Sequence, residues 1–188
     1  AVAFVCKHRG YNLAIVDDED NVVRINRTNK VFYPHFANVV KNVFTYLNRK
    51  EVVSFDIFDT LLKRNVPDPN QIFNIVEKKS GVFGFAKKRI EAAQSAKCNA
   101  VNGEVTYDEI YAQIDGISDE QRNELKQLEL DIEKKYLQAN WEMKEIYDWC
   151  VNHHKKIIAV SDMYLPARKL NELLVENGFY IEHIFVSC

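Results

Sequence analysis

The apolar residues of this chain keep two different rhythms. Val52, Val53 and Phe55 form a short run that ends in Asp56, and Ile157–Val160 form another that ends in Ser161 and Asp162. Short apolar runs closed by polar residues are the pattern of strands buried in a parallel sheet. A third such strand is expected over Tyr180 to Ser187. Between the first two runs the spacing changes to steps of three and four. Pro69 can open a helix through Gln71, Ile72, Phe73, Ile75 and Val76 to a stop at Ser80-Gly81. A second helix is expected over Ala86 to Lys97. Thr106 with Glu109, and Ser118 with Gln121, each have capping-box spacing. The first box starts a short helix through Ile110, Tyr111 and Ile114. The second starts one long helix whose apolar positions run from Leu125 and Leu128 through Ile132, Tyr136, Met143, Ile146 and Tyr147 to Cys150. Upstream, Asn12–Val16 and Asn21–Ile25 flank the acidic turn Asp17–Asp20 and predict a hairpin. His35 to Asn48 has helical spacing, entered through Pro34.

Core packing gives no reason for Asp56 to follow an apolar run. A carboxylate at the carboxyl end of a parallel strand lies in the crevice where open α/β sheets bind ligands. There it can act as a nucleophile and, with a cation, hold a phosphoryl group. The competing reading is that Asp56 or Asp59 starts a turn or caps a helix. The second run supports the chemical reading, because Ser161 brings a hydroxyl to the end of a strand that can lie beside the first.

Phe55-Asp56-Ile57-Phe58-Asp59-Thr60-Leu61-Leu62-Lys63-Arg64 and Ser161-Asp162-Met163-Tyr164-Leu165-Pro166 resemble motifs I and II of the haloacid dehalogenase-like hydrolases. They are closest to helical-cap members found with bacterial surface-polysaccharide and glycosyltransferase proteins. The resemblance spans roughly Glu51 to Cys188. It implies a three-layer, Rossmann-like parallel sheet with an inserted α-helical cap: a core from 51–65 and 150–188, and a cap from 66–149. Residues 1–50 fall outside it, as the end of a preceding domain or a strap on the core. By the same resemblance Asp56 is the nucleophile, and Thr60 and Ser161 hydrogen-bond the transferring group. Mg²⁺ takes the Asp56 carboxylate and the backbone carbonyl of Phe58 as ligands. The implied substrate is a small phosphorylated metabolite such as a sugar phosphate, and the implied partner a fused or separate glycosyltransferase domain.

Two features depart from the family pattern. The usual general acid and base two residues after the nucleophile is replaced by Phe58, an aromatic that dehalogenase members also carry. Asp59 can take that role only if the chain turns sharply after Ile57, since in an extended segment it points to the other side. The Lys and acids of motifs III and IV are expected beyond the last strand, where the sequence given stops; Lys169, in the helix after motif II, stands where some members of the family place that Lys, with a solvated helix residue as the alternative. Two further readings therefore accompany the phosphatase: a catalytically incomplete binding or scaffolding domain, and a metal-independent hydrolase acting at carbon.

Within the helical insertion, Arg64 and Arg89 are candidate substrate-binding residues, because a guanidinium fork grips anions. Glu91, Glu129 and Glu133 are charged positions of the same region, with surface charge or internal ion pairing as the alternative. The chain has 188 residues and a formal net charge of −2, which gives no general reason to expect nucleic acid or a membrane surface. No apolar run approaches the roughly twenty residues of a membrane span. The four cysteines are scattered without a C-x-x-C pair, which reads as reduced thiols in a cytoplasmic protein.

Overall fold

A computed structural model describes residues 43–100 and 104–187, together with the backbone of the strands β1 (Val2–His8), β2 (Tyr11–Val16) and β3 (Val22–Arg24). The fold is mixed α/β. The chain divides into two compact units, one of Ala1–Lys63, Ala139–Ser161 and Leu170–Val186, the other of Arg64–Gln138, Asp162–Lys169 and Ser187–Cys188.

The first unit is built on a six-stranded sheet of order β3-β2-β1-β4-β7-β8, with β4 at Val52–Asp56, β7 at Lys156–Ser161 and β8 at His183–Val186. The pairs β1–β4, β4–β7 and β7–β8 are parallel, and β1–β2 and β2–β3 antiparallel. Val53, Phe55 and Ala159 are buried in its middle. Helix α5 (Trp141–Asn152) turns Met143, Ile146, Tyr147 and Cys150 inward. The Tyr147 ring meets Phe55 and Phe179 edge-on, at 6.3 Å and 5.1 Å. Its hydroxyl donates to the Tyr180 carbonyl and accepts from the Tyr180 N–H. Helix α6 (Ala167–Glu176) buries Leu170, Leu173 and Leu174. Burial pushes the Cys150 thiol up to about 12, so this cysteine is a packing residue with little thiolate character. At the β8 edge the register sets Val160 beside Phe185, and both stay exposed, at 36% and 56%.

The second unit contains α1 (Gln71–Ser80), α2 (Phe85–Asn99), α3 (Tyr107–Ala112) and α4 (Asp119–Tyr136). Both expected capping boxes form: Thr106 with Glu109 opens α3, and Ser118 with Gln121 opens α4. Each satisfies N–H groups that a helix start leaves orphaned. Gly81 ends α1 in the left-handed conformation at φ 72°, which costs glycine nothing.

One expectation is revised. The long helix from Ser118 to Cys150 is two helices, α4 and α5, separated by the strand β6 (Leu137–Ala139). β6 pairs with β5 (Leu62–Arg64) in a two-stranded sheet, and those backbone bonds are incompatible with continuing the helix. At the start of the chain, β1 pairs in parallel with β4, from Val2 opposite Val52 to Val5 opposite Phe55. The predicted hairpin forms as β2 and β3, while its turn, 17–21, lies outside the described residues. Of the expected helix over 35–48, residues 43–47 are helical and 35–42 lie outside the described residues.

Candidate active site

β4 and β7 are neighbours and parallel, so their carboxyl ends meet at one edge of the sheet. Asp56 stands opposite Val160 in register, and Ser161 is the next residue. Alternation along a strand then sets Ser161 on the other side of the pleat from Asp56. Asp56 is half-buried and Ser161 fully buried.

After Asp56 the chain turns at once. The Leu62 N–H donates to the Ile57 carbonyl at 2.9 Å, and Phe58 and Leu62 form an isolated bridge. Ile57 and Leu61 bury their side chains completely, pinning the loop from inside. Thr60, also fully buried, sends its hydroxyl back to Asp56 Oδ2 at 2.8 Å, which fixes the rotation of that carboxylate. Asn140 holds the loop from the other side. Its Nδ2 donates to the Thr60 carbonyl at 2.7 Å and its backbone N–H to the Leu61 carbonyl at 2.8 Å. Asn140 occupies the N-cap of α5 but makes no side-chain cap bond there; its amide serves the loop instead. Sequence reading passes over this residue, because the single long helix expected from Ser118 to Cys150 runs through position 140 without a break.

The sharp turn that Asp59 requires is thus present, and Asp59 sits at its apex with φ 59°. A left-handed conformation costs most residues about 1–2 kcal/mol and glycine nothing. Asp59→Gly is therefore expected to leave stability unchanged or raise it by up to about 1 kcal/mol, and Asp59→Val to lower it by more than about 1 kcal/mol. Urea unfolding of the variants checks both signs.

The donors for a cation can be weighed directly. Among the described residues no three His, Cys, Asp or Glu side chains converge. The Asp56 carboxylate and the Phe58 carbonyl are hard oxygen donors of the kind Mg²⁺ selects, and that ion keeps several waters while using one or two carboxylates with substrate oxygens. The residues fit Mg²⁺ in chemical type, at the lower limit of protein ligands.

The arginines are engaged inside the second unit. Arg64 Nε donates to Glu133 Oε1 at 2.6 Å, in a pair largely screened from water. Burial pushes the Glu133 carboxyl above its usual range, although Arg64 pulls it back. Arg89, only 1% exposed, forks onto Glu129, with Nε to Oε2 and a terminal amine to Oε1 both at 2.9 Å. The Tyr111 hydroxyl adds a third bond to Glu129 Oε2 at 2.8 Å. The rings of Phe73, Tyr107, Tyr111 and Tyr164 surround the guanidinium at 4.7–5.8 Å. Burial works against the charge of Arg89, but Glu129 together with Tyr164 and Tyr111 more than offsets it and the pKa rises. Tyr164 is pushed up to about 12, first by burial and then by Glu129. A guanidinium enclosed in this way has its donor fork committed to Glu129 and is closed to solvent. Lys169 lines a cleft of about 580 Å³ in the same unit with Tyr107, Lys126, Tyr164 and Pro166. Glu91 is exposed on α2, within reach of Lys87.

The class that fold and site define is a mixed α/β protein with a carboxylate at a parallel strand end. No protein-family model matches the chain, and no curated protein matches it either. Among the described residues no helix is long and apolar enough to cross a membrane.

Proposed function

We propose that the chain is a hydrolase of the haloacid dehalogenase-like kind, with an inserted helical cap, acting on a small phosphorylated molecule through a covalent Asp56 intermediate. The observation that carries this reading is the Asp56–Thr60 hydrogen bond at 2.8 Å at the carboxyl end of a parallel strand. A nucleophile works best when its orientation is set before substrate arrives. Thr60, bound to one carboxylate oxygen, sets the orientation in which the carboxylate is proposed to attack the phosphorus. Attack forms an Asp56 acyl phosphate and breaks the bond from phosphorus to the leaving oxygen, which takes up a proton. Water then attacks the phosphorus, releasing phosphate and restoring the carboxylate. Asp59, at the apex of the turn, is the side chain proposed to hand over the proton. Ser161 lies across the pleat from Asp56 but ends its strand at the same carboxyl-end crevice, where its hydroxyl is a candidate donor to the oxygens that gain charge. Mg²⁺ on Asp56 and the Phe58 carbonyl would supply charge neutralisation at the phosphoryl group; the roles of these side chains are assigned independently of it.

Isotope labelling tests the reading against displacement at carbon. In a single turnover in ¹⁸O water, attack at phosphorus places the label in released phosphate and none in the protein. Label recovered in an Asp56 peptide would mean that water attacks the acyl carbon, as in displacement at carbon, and the proposed attack of water at phosphorus would fall.

A further inference from the structure

Each of the two segments carrying the candidate catalytic groups continues into a residue held on the same helix. Arg64 lies four positions beyond Thr60, and its guanidinium binds Glu133 of α4 at 2.6 Å through Nε. Tyr164 lies three positions beyond Ser161. Its ring stacks on Tyr107 at 5.7 Å and 7° and lies 5.2 Å from the guanidinium of Arg89, which Glu129 of α4 holds at both ends of its fork. The Tyr164 carbonyl also accepts the Tyr107 N–H at 3.0 Å. Glu129 and Glu133 are four residues apart, so they project from one face of α4 in adjacent turns. Together with Met163, Tyr164 and Leu165 they enclose one small void.

We propose that α4 is a positioning element: Glu133, through Arg64, anchors the segment that follows the Asp56–Thr60 loop, and Glu129, through Arg89 and Tyr164, anchors the segment that follows Ser161. This rests on the hydrolase reading for its consequence but not for its geometry. Arg64 and Tyr164 are proposed as positioning residues, because Arg64 is bound to Glu133 and the Tyr164 ring is stacked on Tyr107. Arginine suits the first anchor because a buried carboxylate needs a partner that keeps its charge. A tyrosine ring suits the second because its face meets both a cation and another ring.

The test compares Arg64→Ala and Tyr164→Ala with the conservative Arg64→Lys and Tyr164→Phe, all in the full chain. Amide hydrogen exchange is read by mass spectrometry. Arg64→Ala is expected to speed exchange over residues 61–66 and leave 162–166 unchanged, and Tyr164→Ala to do the reverse. Exchange that stays at the wild-type rate in the matching segment, or rises equally across α1, α2 and α3, overturns the proposal. In phosphate-ester hydrolysis the alanine variants should lose roughly 10- to 100-fold in kcat, the scale of a small misplacement of reacting groups, with KM little changed. Lysine and phenylalanine should restore part of it. A loss confined to KM would make Arg64 a substrate ligand instead and overturn its positioning role. If the wild type shows no turnover that depends on Asp56, the hydrolase reading falls, while the exchange experiment still decides whether the anchors hold their segments.

Discussion

Asp56→Asn should abolish hydrolysis of a generic aryl phosphate, by roughly 10⁴-fold or more, the scale seen when one member of a nucleophilic site is removed. Its melting temperature should remain close to that of the wild type. Asparagine has the same shape, and its amide oxygen can still accept the Thr60 hydroxyl now bonded to Asp56 Oδ2. What it cannot do is attack phosphorus. Thr60→Val separates orientation from nucleophilicity in the same assay. It keeps the volume of a fully buried side chain but removes the hydroxyl, so kcat should fall by less than in Asp56→Asn. Steady-state rates and thermal melts on purified protein read both effects. Hydrolysis that survives Asp56→Asn would end the proposed mechanism.

The largest effect on stability is expected at Glu129. Glu129→Leu leaves the Arg89 guanidinium charged and enclosed without its carboxylate, and breaking one side of a buried ion pair typically costs about 3–5 kcal/mol. It also removes the shorter of the two bonds of the Tyr111 hydroxyl, leaving that to the Leu125 carbonyl at 3.1 Å, which adds to the loss. The double variant Arg89→Met with Glu129→Leu removes both charges and should recover most of that stability, because an apolar pair of similar volume is often as stable as the ion pair it replaces. Urea unfolding of the two variants makes the comparison. A double variant no more stable than Glu129→Leu would mean that the aromatic surround, rather than the charge, holds this part of the unit. Arg64→Met at the less enclosed pair is expected to cost less, because the Glu133 carboxyl, already pushed up by burial, can take a proton when its partner is gone.

The parts of the molecule that could be read from sequence share a local cause. Asp56 and Ser161 drew attention because a carboxylate and a hydroxyl close apolar runs, and both residues end neighbouring parallel strands. The helix starts at Thr106 and Ser118 were legible because a capping box is complete within four residues. The split between α4 and α5 was not, because the apolar spacing keeps its phase from Ile132 to Met143 across the break. What interrupts the helix is distant in sequence: β6 pairs with β5, and Asn140 bonds to Thr60 and Leu61. The partners of Arg64 and Arg89 lie 69 and 40 residues away, so spacing could flag the charges but not match them. The conformation of Asp59 was invisible for another reason. Asp adopts φ 59° seldom enough that only the surrounding bonds, Leu62 to Ile57 and Thr60 to Asp56, call for it.

The backbone between Leu61 and Asn140 has one more consequence. The Asn140 N–H reaches the Leu61 carbonyl at 2.8 Å, and the Asn65 N–H reaches the Tyr136 carbonyl at 2.7 Å. The helical stretch therefore begins and ends at points a single hydrogen bond apart, the geometry at which insertions are best tolerated. It behaves as a cassette. Recombination, or a protein engineer, could exchange the stretch between Asn65 and Tyr136 for a different bundle, provided the replacement keeps a partner for Arg64 and a surface for Tyr164.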